Sequence, residues 1–301
     1  MVQNYADACQ SLSMNKLRKA QSSGRAKRSE PAKQPPPTAS VKSPLKTDRH
    51  FVTALGRGLE VLACFRHGER VLGNQELARR CGLAKSTVSR LTYTLTKLGY
   101  LIYVEDSAKY SLGTATLSLG SAMLSRLQIR KLAHPLMQQL AEFGQCMVSL
   151  GSRDRLSMIY IDAVRGSSAV TLSLESGTRI QIATSAMGRA YLTAVPEAER
   201  NGIMERIREL ADLGRWPDLQ RGVAKALRDI RELGVCCSFG EWQKDVNAIA
   251  VPVRPGDGLP PMAINCGAPA YMVSKEFLLD QVRPRLIALV TELETSLGTA
   301  G

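Results

Sequence analysis

Lys85, Ser86, Thr87, Ser89, Arg90, Tyr93 and Lys97 fall within one short stretch, and no Asp or Glu occurs between Ala84 and Tyr103. Arg and Lys can pair with guanine edges, while Ser and Thr bond phosphate or base atoms. Val88, Leu91, Leu95 and Leu98 are spaced by three, four and three, so a helix here would bury one face. The opposite face would then be short, polar and cationic, which suits the major groove of double-stranded DNA.

The flanking residues say how such a face would be positioned. Asn74 reads as the N-cap of a preceding helix, with Glu76 in its first turn and Leu77, Ala78 and Cys81 as an apolar seam. Gly82 can take the left-handed backbone that ends that helix and opens a tight turn. Helix, turn at Gly82-Leu83 and second helix make a helix-turn-helix. Gly99 stops the second helix. Leu101–Val104, a turn at Glu105–Ala108, and Lys109–Leu112 then read as a hairpin wing, where Lys109 adds a cation to the candidate DNA-binding set.

Charge is distributed in the same sense. The net +13 of the 301 residues comes from ten Lys/Arg against three Asp/Glu in residues 1–50, nine against five in 51–114, and twenty-one against nineteen in the rest. Positive charge concentrated beside the polar helix points to a polyanion partner. The seven cysteines include no CxxC, and His50, His67 and His134 are far apart, so no zinc signature, metal site or cofactor is expected. Cys64, Cys81 and Cys146 sit in apolar contexts, as buried free thiols do. A reducing cytoplasm fits this usage, and no signal peptide or membrane-length apolar run is seen. There is no GxSxG, Walker loop, GxGxxG after a strand, or HExxH, so no enzyme chemistry is expected.

In chain order, residues 1–48 are a Lys/Arg/Ser/Pro-rich tail read as disordered. Phe51–His67 is the first helix of a DNA-binding domain over 49–114, with Leu55, Leu59, Leu62 and Phe65 on one face and Val61 flanking. A linker helix over 115–132 carries Leu117, Gly120, Leu124 and Leu127. Leu132, Leu136, Leu140 and Phe143 mark a helix ending at Gly144. Residues 133–301 then form an α+β domain: strands at Cys146–Leu150, Met158–Ile161, Ala169–Leu174, Val235–Phe239, Ala248–Val253 and Met262–Cys266, and helices at Met187–Ala194, Glu197–Leu210 and Asp218–Leu233. The loop Ala183–Ala190 joins a strand to a helix, and its small residues leave backbone amides open to an anionic ligand. Cys236-Cys237 reads as a buried strand pair or a redox site.

Ala54–Leu62, Glu76–Leu83 and Lys85–Leu91 together resemble the isocitrate-lyase-regulator (IclR) family of bacterial transcription regulators, over about 250 residues from Phe51. The resemblance implies an N-terminal winged helix-turn-helix, a linker helix that helps dimerise the DNA-binding halves, and a C-terminal GAF-like effector-binding domain. It places Ser185, Ala186 and Met187 in the pocket loop, although Ala183 and Arg189 stand where the family usually has His and Lys. It places Ser238, Glu241 and Ala248 on a second pocket element, with Asp245 in place of a usual Gly. Asn265, Cys266 and Gly267 lie on a third, where Asn265 and Gly267 replace two serines.

The combined expectation is a homodimeric or homotetrameric regulator that binds operator DNA through Lys85, Ser86, Thr87, Ser89, Arg90, Tyr93 and Lys109. Its operator affinity would be set by a small organic acid, an aromatic or short-chain carboxylate. The alternatives are a thiol-based redox regulator and an enzyme fused to a DNA-binding module.

Overall fold

A computed structural model describes residues 49–298, apart from 67, 168–171, 173, 212–213 and 257. The expected tail and most of the expected strand at Ala169–Leu174 lie outside the described residues.

The N-terminal part is three helices and a hairpin: α1 (Thr53–Ala63), α2 (Asn74–Cys81), α3 (Lys85–Lys97), β1 (Leu101–Val104) and β2 (Lys109–Leu112). Val61, Phe65, Leu72, Leu77, Ala78, Cys81, Val88 and Leu101 form its core. Gly82 has φ 63°, so the turn between α2 and α3 uses the left-handed conformation that glycine tolerates. β1 and β2 pair antiparallel with Tyr103 opposite Tyr110, and Leu72 bridges to Tyr110 beside them.

Three details differ from the sequence expectation. Gly73, not Asn74, is the N-cap of α2; the Asn74 side chain instead reaches Ser89 and Thr92 of α3. Leu98 is 62% exposed because the helix unwinds there as its C-cap, while Thr92 is fully buried one turn after Val88. On α1 the buried residues are Gly58 and Val61, with Phe65 buried just beyond its end, and Leu55 and Leu59 are exposed. Gly58 faces Leu91 of α3, where an added Cβ would make only ordinary contact.

α4 (Thr114–Arg126) leads into α5 (Gln128–Gly144). Leu127 and Leu124 turn into the next core, but Leu117 and Gly120 stay exposed, so the expected single stripe divides between two environments. On α5 the buried face is Ile129, Ala133, Met137, Leu140 and Ala141, rotated from the expected one, and Phe143 is exposed.

The following sheet has six antiparallel strands in the order β5-β4-β3-β8-β7-β6: β3 (Met147–Asp154), β4 (Ser157–Arg165), β5 (Arg179–Gln181), β6 (Cys236–Phe239), β7 (Val246–Val253) and β8 (Met262–Pro269). One face packs on α5 and on α10 (Arg283–Ser296), which follows the short helix α9 (Lys275–Phe277) and a π-turn at Leu278–Val282. The other face packs on α6 (Ala186–Ala194), α7 (Glu197–Leu210) and α8 (Trp216–Leu233). Alternation along β8 sends Met262, Ile264, Cys266 and Ala268 into the first core, and turns Ala263, Asn265 and Gly267 to the second face. The same alternation separates Cys236 from Cys237, which enter opposite cores and cannot bridge. The C-terminal helices α9 and α10, with buried Leu286, Leu289, Val290 and Leu293, and the short strand β5 had not been expected.

Candidate DNA-reading face and effector pocket

Lys85, Ser86, Ser89, Arg90 and Tyr93 are exposed on α3, and Thr87 is half-buried. Lys97 lies over the Tyr93 ring at 5.6 Å, a contact that lines up a cation with the same face. Lys109 is exposed on the wing. The helix is held from beneath: Thr92 Oγ1 donates to the Val88 carbonyl at 3.0 Å and to Asn74 Oδ1 at 3.3 Å, and Asn74 Nδ2 donates to Ser89 Oγ at 3.3 Å. Ser89 is thus tied to α2 through its acceptor lone pair and keeps its own proton to donate.

α2 is fixed by charge. Arg80 pairs with Glu69 and Glu76, both at 2.6 Å, and donates to the Cys64 carbonyl at 2.9 Å. The Arg79 and Arg80 hydrogen bonds hold the Glu76 carboxyl at about 2, well under the usual carboxylate value.

In the sheet domain, Tyr160, Leu172, Ile180, Ser185, Ala186, Met187, Ser238, Trp242, Val246, Ala248, Asn265 and Gly267 line one small pocket. It brings together seven of the nine expected effector residues. Cys266 is a correction: it faces the α5/α10 core on the opposite side of the sheet. Glu241 is a second: its carboxylate pairs with Arg189 and is not in the lining. Tyr160, Ile180, Leu172, Val246 and Trp242 had not been expected. Strand alternation would have indicated Val246, two residues before Ala248, whereas Tyr160 and Ile180 come from strands whose pairing was not legible.

Ser185 caps α6, accepting from the Gly188 amide at 3.1 Å and donating to the Gln181 carbonyl at 2.6 Å. Its hydroxyl is therefore committed. The amides of Ala186 and Met187 belong to the first turn of α6, where backbone N–H groups have no intrahelical carbonyl to meet. Ser238 Oγ likewise donates to the Thr184 carbonyl at 2.8 Å. Asn265 differs: its Oδ1 is buried without a partner, as is the hydroxyl of Ser149, its direct cross-strand neighbour on β3. Burial pushes the Tyr160 phenol above its ordinary value, partly offset by a hydrogen bond with the Asn265 side chain. Among the described residues, no charged side chain lines the pocket.

Arg189 lies behind that wall. It is buried, donates to the Ala183 and Cys237 carbonyls at 3.1 and 2.9 Å, and pairs with Glu241. Gly222 on α8 makes room for it, since a Cβ there would sit 2.2 Å from the guanidinium. Desolvation lowers the Arg189 pKa from its ordinary value. Glu241 immediately precedes Trp242, so the pair ties the Trp242 turn to α6.

A winged helix followed by an α+β domain with an apolar pocket has the architecture of a ligand-responsive DNA-binding regulator. Residues 54–105 match the IclR helix-turn-helix domain, and residues 121–295 match the bacterial transcriptional regulator IclR C-terminal domain. The chain belongs to the IclR family of transcriptional regulators: DNA-binding proteins with a C-terminal effector domain. It is 31% identical over 253 residues to the HTH-type transcriptional regulator TsaQ1/TsaQ2 of Comamonas testosteroni, covering 83% of this chain and 90% of that one. It is 25% identical to the Pca regulon regulatory protein of Pseudomonas putida, covering 82% and 84%. An IclR family transcriptional regulator from Brucella abortus superimposes with a TM-score of 0.76 at 46% identity, covering 86% of this chain and 97% of that one. These relatives are transcriptional regulators and not enzymes. No helix of the described residues is long and apolar enough to cross a membrane.

Proposed function

We propose that this regulator reads its operator with Lys85, Ser86, Thr87, Ser89, Arg90, Tyr93 and Lys109, and that a small organic acid in the sheet-domain pocket sets its operator affinity. The carrying observation is the pocket chemistry. Asn265, whose buried Oδ1 has no hydrogen-bond partner, and Ala186 and Met187 of the α6 N-terminus line one cavity, walled elsewhere mainly by apolar and aromatic side chains. A helix N-terminus favours negative charge, and without a lining cation it suits a single carboxylate on an apolar body. The acid group lies toward the Ala186 and Met187 amides, the protonated or hydroxyl part of the ligand toward Asn265, and an aromatic or short-chain body against Tyr160 and Trp242.

The active form is a homodimer acting in the cytoplasm. Leu55 and Leu59 on α1, and Leu117, Leu119 and Met123 on α4, are all more than half exposed. Apolar stripes of this kind call for a covering surface, and a second copy with a two-fold axis would present two reading helices to a pseudo-palindromic site.

The test is calorimetry of the full chain against a panel of aromatic and short-chain carboxylates and their matched amides. The carboxylate is expected to bind and its amide to bind more weakly. Ala186→Phe, which fills the space at the helix end, is expected to abolish binding while operator retention survives. Equal binding of a carboxylate by Ala186→Phe and the parent would place the effector elsewhere.

A further inference from the structure

Cys64 follows α1 as its C-cap, and Cys81 is the last residue of α2. Their Sγ atoms are 3.2 Å apart. Cys64 is only partly buried, whereas Cys81 lies in the core of the winged helix. The other described thiols, Cys146, Cys236, Cys237 and Cys266, are buried in the sheet domain. Burial pushes Cys236 up to about 12 and Cys237 to about 11. Cys64 moves the other way: the hydrogen bond from Cys81, then the charges of Arg80 and Arg66, hold it below the ordinary thiol value despite partial burial. Cys81 is correspondingly raised, chiefly by the same hydrogen bond. A partly exposed thiol whose ionisation is favoured by its surroundings, with a second thiol in reach, is the arrangement that reactive cysteines require.

We propose that Cys64 and Cys81 form an oxidation site that takes a peroxide-class two-electron oxidant and closes as a disulfide between α1 and α2. The Cys64 thiolate attacks one peroxide oxygen; the S–O bond forms, the O–O bond breaks, and the leaving oxygen takes a proton. The Cys81 sulfur then attacks the Cys64 sulfenic sulfur; the S–S bond forms, the S–O bond breaks, and the Cys81 proton leaves with the hydroxyl as water. The thiols lose two electrons and hydrogen peroxide becomes two waters. A disulfide needs about 2.05 Å between sulfurs, so the pair must close by about 1 Å. Cys81 immediately precedes Gly82, whose left-handed turn aims α3. Closing the bond therefore strains the turn on which the reading helix depends, and oxidation weakens operator binding.

The test uses the full chain, reduced, desalted and treated with hydrogen peroxide, followed by peptide mapping. The peptides holding Cys64 and Cys81 are expected to appear linked. In Cys81→Ser, or in Cys81→Ala should the serine variant not fold, Cys64 is expected to persist as a sulfenic acid that dimedone labels. Cys64→Ser is expected to leave Cys81 unlabelled. Absence of the linked peptide in the parent, or dimedone labelling of Cys81 in place of Cys64, would overturn the assignment. For the consequence, the probe is a duplex selected from a random pool by the reduced protein. Oxidation is expected to weaken its binding at least about fivefold, the low end of ordinary couplings, with recovery in dithiothreitol and no response in Cys64→Ser. Unchanged affinity of the disulfide form would overturn the link to DNA. Failure to select any duplex would count against the operator reading, while the peptide map still decides the disulfide.

Discussion

The winged helix packs eight buried side chains around Val61, Leu77 and Val88, whereas the sheet domain buries two separate clusters, one on each side of its six strands. The smaller core leans on polar ties, namely the Arg80 pairs with Glu69 and Glu76 and the Thr92–Asn74 link. Its candidate functional side chains lie outside that core, in water. In the sheet domain the pocket is a gap in the core itself, so its lining and its stability share the same residues. Substitutions on α3 should therefore alter recognition without unfolding, while substitutions around the pocket should trade recognition against stability.

The largest expected effect tests the second half of that contrast. Arg189→Ala leaves the Ala183 and Cys237 carbonyls without their donor and Glu241 without its partner. It should destabilise the sheet domain by about 3 kcal/mol, since two buried carbonyls lose their donor while the half-exposed Glu241 carboxylate can turn to water. Urea unfolding would show a lower midpoint, and an unshifted midpoint would mean that the pair is not structural. On the reading helix, Arg90→Ala should cost about 1–3 kcal/mol of operator affinity if it meets a base, with thermal stability unchanged. Fluorescence titration at fixed salt against Lys85→Ala and Ser86→Ala decides; full affinity in all three variants would remove α3 from the interface. Lys109→Ala is subtler: affinity should fall alike on all sequences, and the slope of log affinity against log salt should drop by about 1. A change in sequence preference would instead make the wing a base reader.

Acid should separate the domains most gently. The folded Glu76 carboxyl titrates at about 2 against a usual value near 4.5. Its contribution is present above the unfolded value and is lost as pH falls from about 4.5 towards 2. Glu76→Gln should therefore lower winged-helix stability at neutral pH by a small amount and converge on the parent near pH 2. Parallel curves for parent and variant across that window, followed by circular dichroism, would show that the pair contributes nothing.

Periodicity made the reading helix, its turn glycine and the wing legible, because local signals and tertiary placement agree there. The errors share a cause. Leu55, Leu59 and Leu117 look like core residues by type, and only the tertiary packing of α1 and α4 leaves them exposed. Thr92 looks polar, yet its hydroxyl satisfies itself on the Val88 carbonyl and it is buried. The resemblance of its strand to a pocket element places Cys266 with Asn265 and Gly267, but a one-residue step on a strand changes face. Tyr160 and Ile180 reach the pocket through the register of β4 and β5, a long-range pairing that no local pattern announces. The Arg189–Glu241 pair spans fifty-two positions in the chain and is equally silent in the sequence.

Trp242 lines the pocket, while Trp216, the only other tryptophan in the chain, opens α8 outside that lining. Indole emission shifts with the polarity around the ring and is quenched by an acceptor stacked against it. A guest in the cavity would replace water or empty space next to one of two fluorophores, leaving the second as an internal reference. Filling of this pocket would thus be read from emitted light without a label, through a ring set into the wall by the turn that Glu241 anchors.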